Sequence, residues 1–578
     1  MVSRAALKRL LRNARLYGTK ATEDGGKSYK LLVVGGGSGG IATAAKFASK
    51  LGKGKVCVLE PRDVHCYQPL WTLVGGGIKQ VADSVKPMAD VIPRHAEWIQ
   101  DEADTFVPQD NTVVTKRGVK IKYDFLVVAT GIQVRFDLMV SRAALKRLLR
   151  NARLYGTKAT EDGGKSYKLL VVGGGSGGIA TAAKFASKLG KGKVCVLEPR
   201  DVHCYQPLWT LVGGGIKQVA DSVKPMADVI PRHAEWIQDE ADTFVPQDNT
   251  VVTKRGVKIK YDFLVVATGI QVRFDLVDGL VEALETPYVC SNYSYDTVTK
   301  TYKAMQSLKE GNAIFTFPAT PAKCPGAAQK VMYLTDAHLR KAGRRDKVDI
   351  MFNTSLGVLF GVRKYADALW GVVKERGIAV NLRHELVQVR PAQREAVFRL
   401  LDSKADPKET ATFKYNMLHV TPPMTAPAAL RTGTSFVDAG GFLDVDGETL
   451  QHKRYPNVFG IGDCTNVPTA KTAAAVAGEL GILRKNLTRA MEGKEASKKY
   501  NGYTSCPLVT SYSKCILAEF DSKGEPLETF PFNQGKERRS MFYMKRDALP
   551  FIYWTLFLRG YWEGPSIFRK VMHFGFSK

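Results

Sequence analysis

Apolar and amphipathic segments alternate along the chain in the order that a parallel sheet with crossover helices requires. The apolar run Lys168 to Val172 predicts a buried strand, and the small-residue segment 179–189 after it predicts a closely packed helix. A second apolar strand ends at Glu198. Further strands are predicted at 261–270, 312–317, 347–352 and 457–464, and a helix is predicted at 331–341. This alternation predicts an α/β fold with Rossmann-like domains.

The first part of the chain is repeated letter for letter. Residues 1–138 (the first copy) recur as residues 139–276 (the second copy), and new sequence follows. Stacked repeat proteins have units of about 20–50 residues that diverge from one another. A perfect long copy therefore indicates a recent tandem duplication or an error of gene assembly, and two working domains are the weaker alternative.

Chain connectivity predicts which copy completes the fold. If the first copy docked on the later segment around Asp463, residues 139–276 would form a loop between two fixed ends. Closing a loop of that length costs about 4 kcal/mol for an ideal chain. We therefore expect the second copy to dock and the first copy to be redundant.

The net charge indicates which classes of partner the protein could bind. The net charge is +28, and each copy opens with a basic segment, 1–21 or 139–159, that lacks acidic residues and is typical of a mitochondrial transit peptide. No nucleic-acid motif occurs, so we expect no nucleic acid and favour a membrane surface. The nine cysteines lack the paired short spacings of a zinc ribbon or a secreted disulfide scaffold, so no metal site is predicted.

The C-terminal tail has the composition of a membrane-surface segment. Residues 548–558 form an apolar and aromatic run that is too short to span a bilayer. Arg559, Arg569, Lys570 and Lys578 follow among aromatic residues. This pattern predicts interfacial helices, and a C-terminal helix packed on the core is the alternative.

A dinucleotide fingerprint lies between the first two predicted strands of the second copy. The sequence GGGSGG fills Gly173 to Gly178, and the second strand ends twenty residues later at Glu198. Gly173 allows the tight turn, Gly175 lets a pyrophosphate approach the backbone, and Gly178 allows close helix packing. Glu198 is expected to accept hydrogen bonds from a ribose hydroxyl.

Two further turns point to a flavin. The segment 261–270 ends in Ala267-Thr268-Gly269, and the segment 457–464 ends in a Gly462-Asp463 turn before another small-residue helix. This combination is similar to two-dinucleotide-fold flavoproteins, in which the Asp binds the flavin ribityl chain. FAD is therefore the predicted cofactor.

The second α/β region lacks a fingerprint of its own. In NADH-dependent relatives a second G-x-G-x-x-G would follow the strand 312–317, but here a loop carries Cys324. Lys323 and Lys330 flank this cysteine and would lower its pKa if they lay close. Cys195, Cys204, Cys290 and Cys515 are interpreted as small buried hydrophobes. From the residues alone, Cys464 ranks above Cys506 as a second functional cysteine.

Several segments together resemble the mitochondrial sulfide:quinone oxidoreductase family. They are VVGGGSGG, HCYQPLWTLVGGG, IFTFPATPAKCPGAAQK, HVTPPM, YPNVFGIGDCTNVPTAKTAAAVA and GYTSCPLV. The resemblance covers essentially all of 139–578. It implies two Rossmann-like domains of the flavoprotein disulfide-reductase type with C-terminal interfacial helices. The expected division is 1–138 as a duplicate, 139–276 and 431–505 as the FAD domain, 277–430 as the second Rossmann-like domain, and 506–578 as the cysteine loop and membrane-docking region.

The resemblance also implies a redox-active pair, Cys324 and Cys506, with Glu282 as a candidate proton acceptor. The persulfide is implied on Cys506 and the flavin-facing thiolate on Cys324. The expected FAD contacts are Gly173, Gly175, Ser176, Gly177, Gly178, Glu198, Gln206, Ala241, Thr268, Gly269, Gly462, Asp463 and Lys471. His203 is interpreted as a structural histidine.

The implied reaction is oxidation of hydrogen sulfide, with two electrons passing to ubiquinone and the sulfane sulfur to a small acceptor such as glutathione. The implied location is the matrix face of the mitochondrial inner membrane. Two alternatives stay open at this point: a type II NADH:quinone dehydrogenase, and a flavin-binding membrane protein inactivated by its duplicated front.

Overall fold

The computed structural model describes residues 27–70, 79–131, 165–406, 408–431 and 435–575. The two transit-like segments lie outside these residues. The chain divides into two compact units, Met1–Ala159 and Thr160–Lys578. The first unit thus contains the first copy, and the second unit contains the second copy from Thr160 onward and all that follows.

The first unit is built on a six-stranded mixed sheet in the order β5-β2-β1-β8-β7-β6, and β3 pairs with β4 beside it. Strands β1 and β2 pair in parallel, with a helix between them as the crossover. The elements are β1 Lys27–Val34, α1 Ser38–Leu51, β2 Val56–Leu59, β3 Val64–Cys66, β4 Val85–Pro87, α2 Met88–Val91, β5 Ala96–Ile99, β6 Ala103–Val107, β7 Thr112–Thr115 and β8 Lys120–Val128.

The second unit repeats this sheet and extends it by one strand. The order is β13-β10-β9-β16-β15-β14, and β27 pairs in parallel with the last residues of β16. The elements of the second copy are β9 Lys165–Val172, α3 Ser176–Leu189, β10 Val194–Leu197, β11 Val202–Cys204, α4 Trp209–Gly213, β12 Val223–Pro225, α5 Met226–Val229, β13 Ala234–Ile237, β14 Ala241–Val245, β15 Thr250–Thr253, β16 Lys258–Val266 and β17 Gln271–Val272.

A second parallel sheet follows, as the alternating pattern predicts. Its order is β18-β25-β19-β20-β21, and an antiparallel sheet β22-β23-β24 lies in the same region. The elements are α6 Leu280–Ala283, β18 Val289–Cys290, α7 Tyr295–Ser307, β19 Gly311–Phe317, α8 Ala327–Lys341, β20 Val348–Thr354, α9 Arg363–Glu375, β21 Ala379–Asn381, β22 His384–Arg390, β23 Glu395–Leu400, β24 Thr410–Lys414, β25 Met417–His419, β26 Met424–Thr425 and α10 Ala428–Arg431.

The chain then returns to the first sheet of this unit through the return segment, residues 457–491. This segment contains β27 Val458–Gly460 and α11 Ala473–Met491, and a hairpin of β28 Thr504–Val509 and β29 Cys515–Phe520 comes after it. The pairing of β27 with β16 shows that the second copy receives the return segment, as loop closure predicts. Strand β10 and the C-terminal ends of β9 and β16 are apolar and buried, because both faces of the sheet are covered there.

The C-terminal segment, residues 539–575, is helical for most of its length. It contains α12 Arg539–Tyr543, α13 Leu549–Ile552 and α14 Ser566–Met572, with π-helical turns at Met544–Ala548 and Tyr553–Phe557. Tyr553, Phe557 and Leu558 are buried, whereas Phe551 is 64% exposed. The predicted apolar run 548–558 is therefore half packed on the core and half open. No helix among the described residues is long and apolar enough to cross a membrane.

Candidate functional site

The loop Gly173–Gly178, called the phosphate loop below, has the conformation that its glycines predict. Gly173 has φ +108°, and a Cβ there would lie 2.3 Å from the carbonyl oxygen of Ala267. A Cβ on Gly178 would lie 1.8 Å from the carbonyl oxygen of Gly173. These two glycines are therefore required by the fold, in agreement with the tight turn and the close packing expected of them.

Gly175 is different, because the protein itself does not require a glycine there. A Cβ at this position would meet nothing within 4 Å, and the residue is exposed at the N-terminus of α3. A glycine at an open helix N-terminus leaves room for a phosphate to reach the backbone N–H groups. This geometry fits the pyrophosphate of FAD.

Glu198 lies at the end of β10 and bonds to the phosphate loop. One carboxylate oxygen accepts the Gly174 N–H at 2.6 Å, and the other accepts the Arg200 N–H at 2.8 Å. These bonds fix the carboxylate at the end of the strand, where the fingerprint predicts a ribose contact.

The return segment brings further polar groups to the same end of the sheet. Gly462, Asp463, Lys471 and Glu479 line one small cavity. No hydrogen bond to the Asp463 carboxylate is found among the described residues, and burial raises its pKa. In the Ala267-Thr268-Gly269 turn, the Thr268 hydroxyl is buried without a hydrogen-bond partner in the described structure. Unpaired buried polar groups need partners, so these side chains fit a polar ligand such as the flavin chain.

Glu479 is a functional candidate that the sequence did not single out. It is almost fully buried on α11, and its carboxylate accepts the Gly462 N–H at 2.7 Å. Burial raises the pKa of this carboxyl to about 7. Glu479 therefore holds the turn that presents Asp463.

Two cysteines that are far apart in sequence meet beside this cavity. The Sγ atoms of Cys324 and Cys506 lie 3.8 Å apart, and both side chains are free thiols here. Cys324 lies in the loop after β19 and Cys506 lies in β28. Sulfurs at van der Waals distance can join in a disulfide after a small movement. The predicted pairing of these two positions thus agrees with the geometry.

The charge around the pair favours a thiolate on Cys324. A hydrogen bond from Cys506 and the Lys330 ammonium, 3.2 Å from the Cys324 sulfur, together hold the pKa of Cys324 well below its usual range. The pKa of Cys506 is raised in turn by its bond to Cys324 and by burial. Lys330 is buried, and its pKa is raised by the sulfur pair. Lys330 therefore lies close enough to Cys324 to lower its pKa, which is the condition on which the prediction from the sequence depends.

Backbone bonds tie the Cys324 loop to the return segment. The Cys324 N–H donates to the carbonyl of Lys471 at 2.8 Å, and the Tyr293 hydroxyl donates to the Cys324 carbonyl at 3.3 Å. Cys324 itself has φ +50°, a left-handed conformation that non-glycine residues rarely adopt. Conformations of this kind are concentrated at functional sites.

A second buried lysine approaches from the C-terminal segment. Lys545 is 3% exposed and donates to the Pro207 carbonyl at 2.9 Å. Burial, followed by repulsion from Lys330, lowers the pKa of Lys545 to about 8, and the charges of Cys324 and Cys506 oppose this shift. Sequence reasoning missed Lys545 because its π-helical turn lies more than 200 residues from Cys324 along the chain.

Not every predicted residue joins this cluster. Glu282 lies on the exposed side of the short helix α6, and no hydrogen bond or ion pair joins it to the cysteines in the described structure. Its proposed role therefore rests on resemblance alone. Gln206 is exposed at the start of a 3₁₀ turn, and the buried Ala241 begins β14, where only its backbone could bond a cofactor.

Of the other cysteines in the second unit, Cys195, Cys290, Cys464 and Cys515 are buried, whereas Cys204 is only partly buried, contrary to its interpretation as a buried hydrophobe. Cys195 and Cys290 are fully buried, and burial raises the pKa of each to about 12. The Cys464 thiol donates to the backbone carbonyls of Val266 and Ile461, where the paired strands β16 and β27 end. The geometry favours Cys506 over Cys464, against the ranking that the residues alone give, because Cys464 lies at the β27 turn with no sulfur partner among the described residues.

The C-terminal segment reaches the phosphate loop directly. The Tyr553 hydroxyl lies 2.8 Å from Ser176 Oγ and 2.7 Å from His203 Nε2. The C-terminal segment therefore contacts the fingerprint itself, because Ser176 belongs to it. His203 is satisfied by these contacts, in agreement with its structural interpretation.

Comparisons with known proteins agree with this geometry. A family described as pyridine nucleotide-disulphide oxidoreductase matches residues 29–155 and 167–311. The chain is 53% identical to the mitochondrial sulfide:quinone oxidoreductase of Mus musculus, over 71% of this chain and 90% of that relative. It is 46% identical to that of Dictyostelium discoideum, over 69% and 87%. The X-ray structure of the sulfide:quinone oxidoreductase from Aquifex aeolicus matches with a TM-score of 0.60 at 22% identity, over 71% and 95%, which shows a shared fold.

Proposed function

Because the chain belongs to the sulfide:quinone oxidoreductase family, we propose that Cys324 and Cys506 are the residues through which it oxidises sulfide. The enzyme uses FAD and passes electrons to a quinone. The 3.8 Å separation of the two sulfurs, with the Lys330 ammonium beside Cys324, is the observation that carries the proposal. FAD, when bound, accepts the two electrons that sulfide gives up.

Cys506, Cys324 and Lys330 each have a different role in the reaction with sulfide. In the oxidised enzyme the two sulfurs form a disulfide, and hydrosulfide attacks the Cys506 sulfur. The bond between the cysteines breaks, a persulfide forms on Cys506, and Cys324 leaves as a thiolate. Lys330 stabilises that thiolate, because an ammonium 3.2 Å away favours the charged form.

The persulfide sulfur must leave before the next cycle. A small thiol such as glutathione can attack the outer sulfur and restore the Cys506 thiolate, which is a balanced thiol exchange. We propose ubiquinone as the physiological quinone. The relatives are named as mitochondrial proteins, which supports a mitochondrial location for this protein. We propose that it lies at the matrix face of the inner membrane.

Replacement of either cysteine tests this assignment. Sulfide should bleach the flavin absorbance of the wild type, and Cys324→Ser or Cys506→Ser should lower sulfide-dependent quinone reduction by at least a thousandfold. Serine keeps the size but cannot form the disulfide. Cys290→Ser, a buried cysteine bonded to the Leu418 carbonyl, is the matched control and should keep most of the activity. Quinone reduction at the wild-type rate by both mutants would exclude the pair.

Lys330→Met should give a smaller loss. Without the ammonium, Cys324 becomes a poorer leaving group with a higher pKa, so turnover at pH 7 should fall by up to about tenfold for each unit of that rise in pKa. A pH titration of the thiolate absorbance measures the pKa directly. An unchanged thiolate pKa would contradict the role given to Lys330.

We also propose that the C-terminal segment docks on the membrane surface. Apolar and aromatic side chains stand in water along it, among them Phe551 at 64%, Ile567 at 74% and Phe574 at 88% exposure. Arg546, Arg559 and Lys570 lie between them in the sequence and can meet anionic lipid headgroups.

Charge introduced into this surface tests the membrane proposal. The double variant Phe551→Glu, Ile567→Glu should no longer sediment with anionic liposomes but should keep its FAD. Val257→Glu is the control, since Val257 is also exposed (40%) but lies on the β15–β16 turn. Sedimentation of the double variant at the wild-type level would show that this surface does not bind membranes.

A further inference from the structure

Three residues from distant parts of the chain form one hydrogen-bonded group under the phosphate loop. Tyr553 of the C-terminal segment contacts Ser176 Oγ at 2.8 Å and His203 Nε2 at 2.7 Å. His203 Nδ1 lies 2.8 Å from the carbonyl oxygen of Gly174. The C-terminal segment thus contacts the side chain of Ser176 directly and the backbone of Gly174 through His203.

The direction of these bonds follows from the protonation of His203. The imidazole is 1% exposed, and burial lowers its pKa to about 4, so it is neutral at pH 7. A carbonyl can only accept, so Nδ1 carries the proton and Nε2 accepts from the Tyr553 hydroxyl. The Tyr553 oxygen can then accept from the hydroxyl of Ser176. Each polar group of Ser176, His203 and Tyr553 in this set of bonds has a partner. Breaking such hydrogen bonds in a buried site is costly.

The first copy shows what the phosphate loop is like without Tyr553. His65 bonds to the Gly36 carbonyl at 2.9 Å, and Gly37 has nearly the same backbone angles as Gly175. The loop therefore needs no tail to reach its shape. Ser38, however, is exposed, whereas its equivalent Ser176 is half-buried. The tail covers the loop and does not shape it.

Tyr553 also covers the neighbouring aromatic residue. Its ring stacks on that of Tyr205, with the centroids 4.0 Å apart. Tyr205 is 5% exposed, and its equivalent Tyr67 in the first copy is 53% exposed. A ring stacked here removes water from the edge of the cofactor site, and less water strengthens the attraction between a helix N-terminus and a phosphate.

Ion pairs also fix the C-terminal segment to α3, which follows the phosphate loop, and to α11 of the return segment. Glu563 makes ion pairs with Lys184 of α3 at 2.7 Å and with Arg484 of α11 at 2.5 Å. These two bonds hold the pKa of Glu563 down, to about 2, against its burial. The segment cannot leave the phosphate loop without breaking both the Tyr553 bonds and these ion pairs.

We propose that Tyr553 is a positioning residue that covers the FAD phosphate loop, so that retention of FAD depends on docking of the C-terminal segment on the FAD domain. The inference rests on FAD as the cofactor and not on the sulfur chemistry of the proposed function. Release of FAD requires the cover to open, and each bond that holds the cover makes opening rarer.

Tyr553→Phe in the full-length holoenzyme tests this directly. The variant keeps the stacked ring and loses only the hydroxyl, so the fold is retained. We expect FAD to leave about tenfold faster or more, the effect of losing two buried hydrogen bonds, measured by the rise in flavin fluorescence on dilution. Tyr561→Phe, on the same segment but 77% exposed, should release FAD at the wild-type rate.

Two further measurements separate this role from a general loss of stability. Glu563→Gln, whose side chain bonds to Lys184 and Arg484 rather than to the loop, should also speed FAD release. In Tyr553→Phe, half-saturation of turnover should need more added FAD, while the rate at saturating FAD should equal that of the wild type. An unchanged FAD release rate in Tyr553→Phe, or a saturated rate that stays low, would overturn the proposal. Wild-type protein that binds FAD but does not oxidise sulfide would instead count against the proposed function.

Discussion

The two copies have the same sequence and the same local structure, yet they differ in what covers them. Val266, next to the end of the sheet in the second copy, is fully buried, and its equivalent Val128 is 56% exposed. Phe185 on α3 is 1% exposed, and its equivalent Phe47 on α1 is 41% exposed. Identical residues thus belong to a core in one copy and to a surface in the other.

The difference lies where later parts of the chain pack on the second copy. Tyr29 and Tyr167 are both buried, and so are Cys57 and Cys195, whose pKa values burial raises to about 12 in both copies. These residues are covered by their own copy. The residues that differ are those that later parts of the chain cover in the second copy, among them the return segment, the C-terminal segment and, over Phe244, the ring of Phe436.

This comparison shows that the duplicated part is a half-domain. It forms its strands, its phosphate loop and its helix, but the last residues of β8 lack a second neighbour among the residues described, where β16 has β27. Exposed apolar patches of this kind are uncommon on soluble monomers. The groups predicted to complete the cofactor site, Asp463 and Lys471, also come only from outside the copy.

The largest effect should come from the same glycine change made in each copy. Gly175→Val should abolish FAD binding, because the side chain would fill the space that a pyrophosphate needs, although the protein alone would accept it. Gly37→Val should leave about one FAD per chain. The flavin absorbance of the purified protein measures both. Two flavins per wild-type chain, or loss of FAD in Gly37→Val, would show that the first copy is a working site.

A matched pair of core substitutions should differ by several kcal/mol. Phe185→Ala should destabilise the FAD-bound unit by about 3–5 kcal/mol, since it leaves a cavity in a closed core. Phe47→Ala should change the same transition by less than about 0.5 kcal/mol, because that ring is part of a surface. Denaturant unfolding followed by flavin fluorescence gives both values, and equal losses would mean that the first copy is covered after all.

Glu479 should give only the second unit a pH dependence of stability. Its folded pKa of about 7 lies above the ordinary value of 4.5, so the folded state holds the proton to a higher pH than the unfolded state does. Stability from this group should therefore fall by about 3 kcal/mol as the pH rises from 4.5 to above 7. Glu479→Gln should remove that slope, and Glu492→Gln at the exposed end of the same helix should not. A slope that persists in Glu479→Gln would assign it to another group.

Much of the fold and part of the site could be predicted from the sequence. The fingerprint strand, loop and helix form where the pattern predicts them, and the return of the chain through the Gly462-Asp463 turn is confirmed. The helix α8 begins at Ala327, four residues before the predicted start, because it follows directly on the Cys324-Pro325-Gly326 turn. The meeting of Cys324 and Cys506 was accessible only through resemblance, since no spacing links a loop and a strand that lie 182 residues apart.

The two copies separate what the sequence determined from what the tertiary structure decided. The sequence by itself determined the backbone of the phosphate loop, because steric limits at Gly173 and its equivalent Gly35 act within a few residues and give φ +108° in both copies. Burial, the Tyr553 contact with Ser176 and the low pKa of Cys324 depend on groups that are distant along the chain. Those properties were decided by tertiary structure, because burial and electrostatic interaction depend on distance in space, and only one of two identical segments lies next to the groups that complete it.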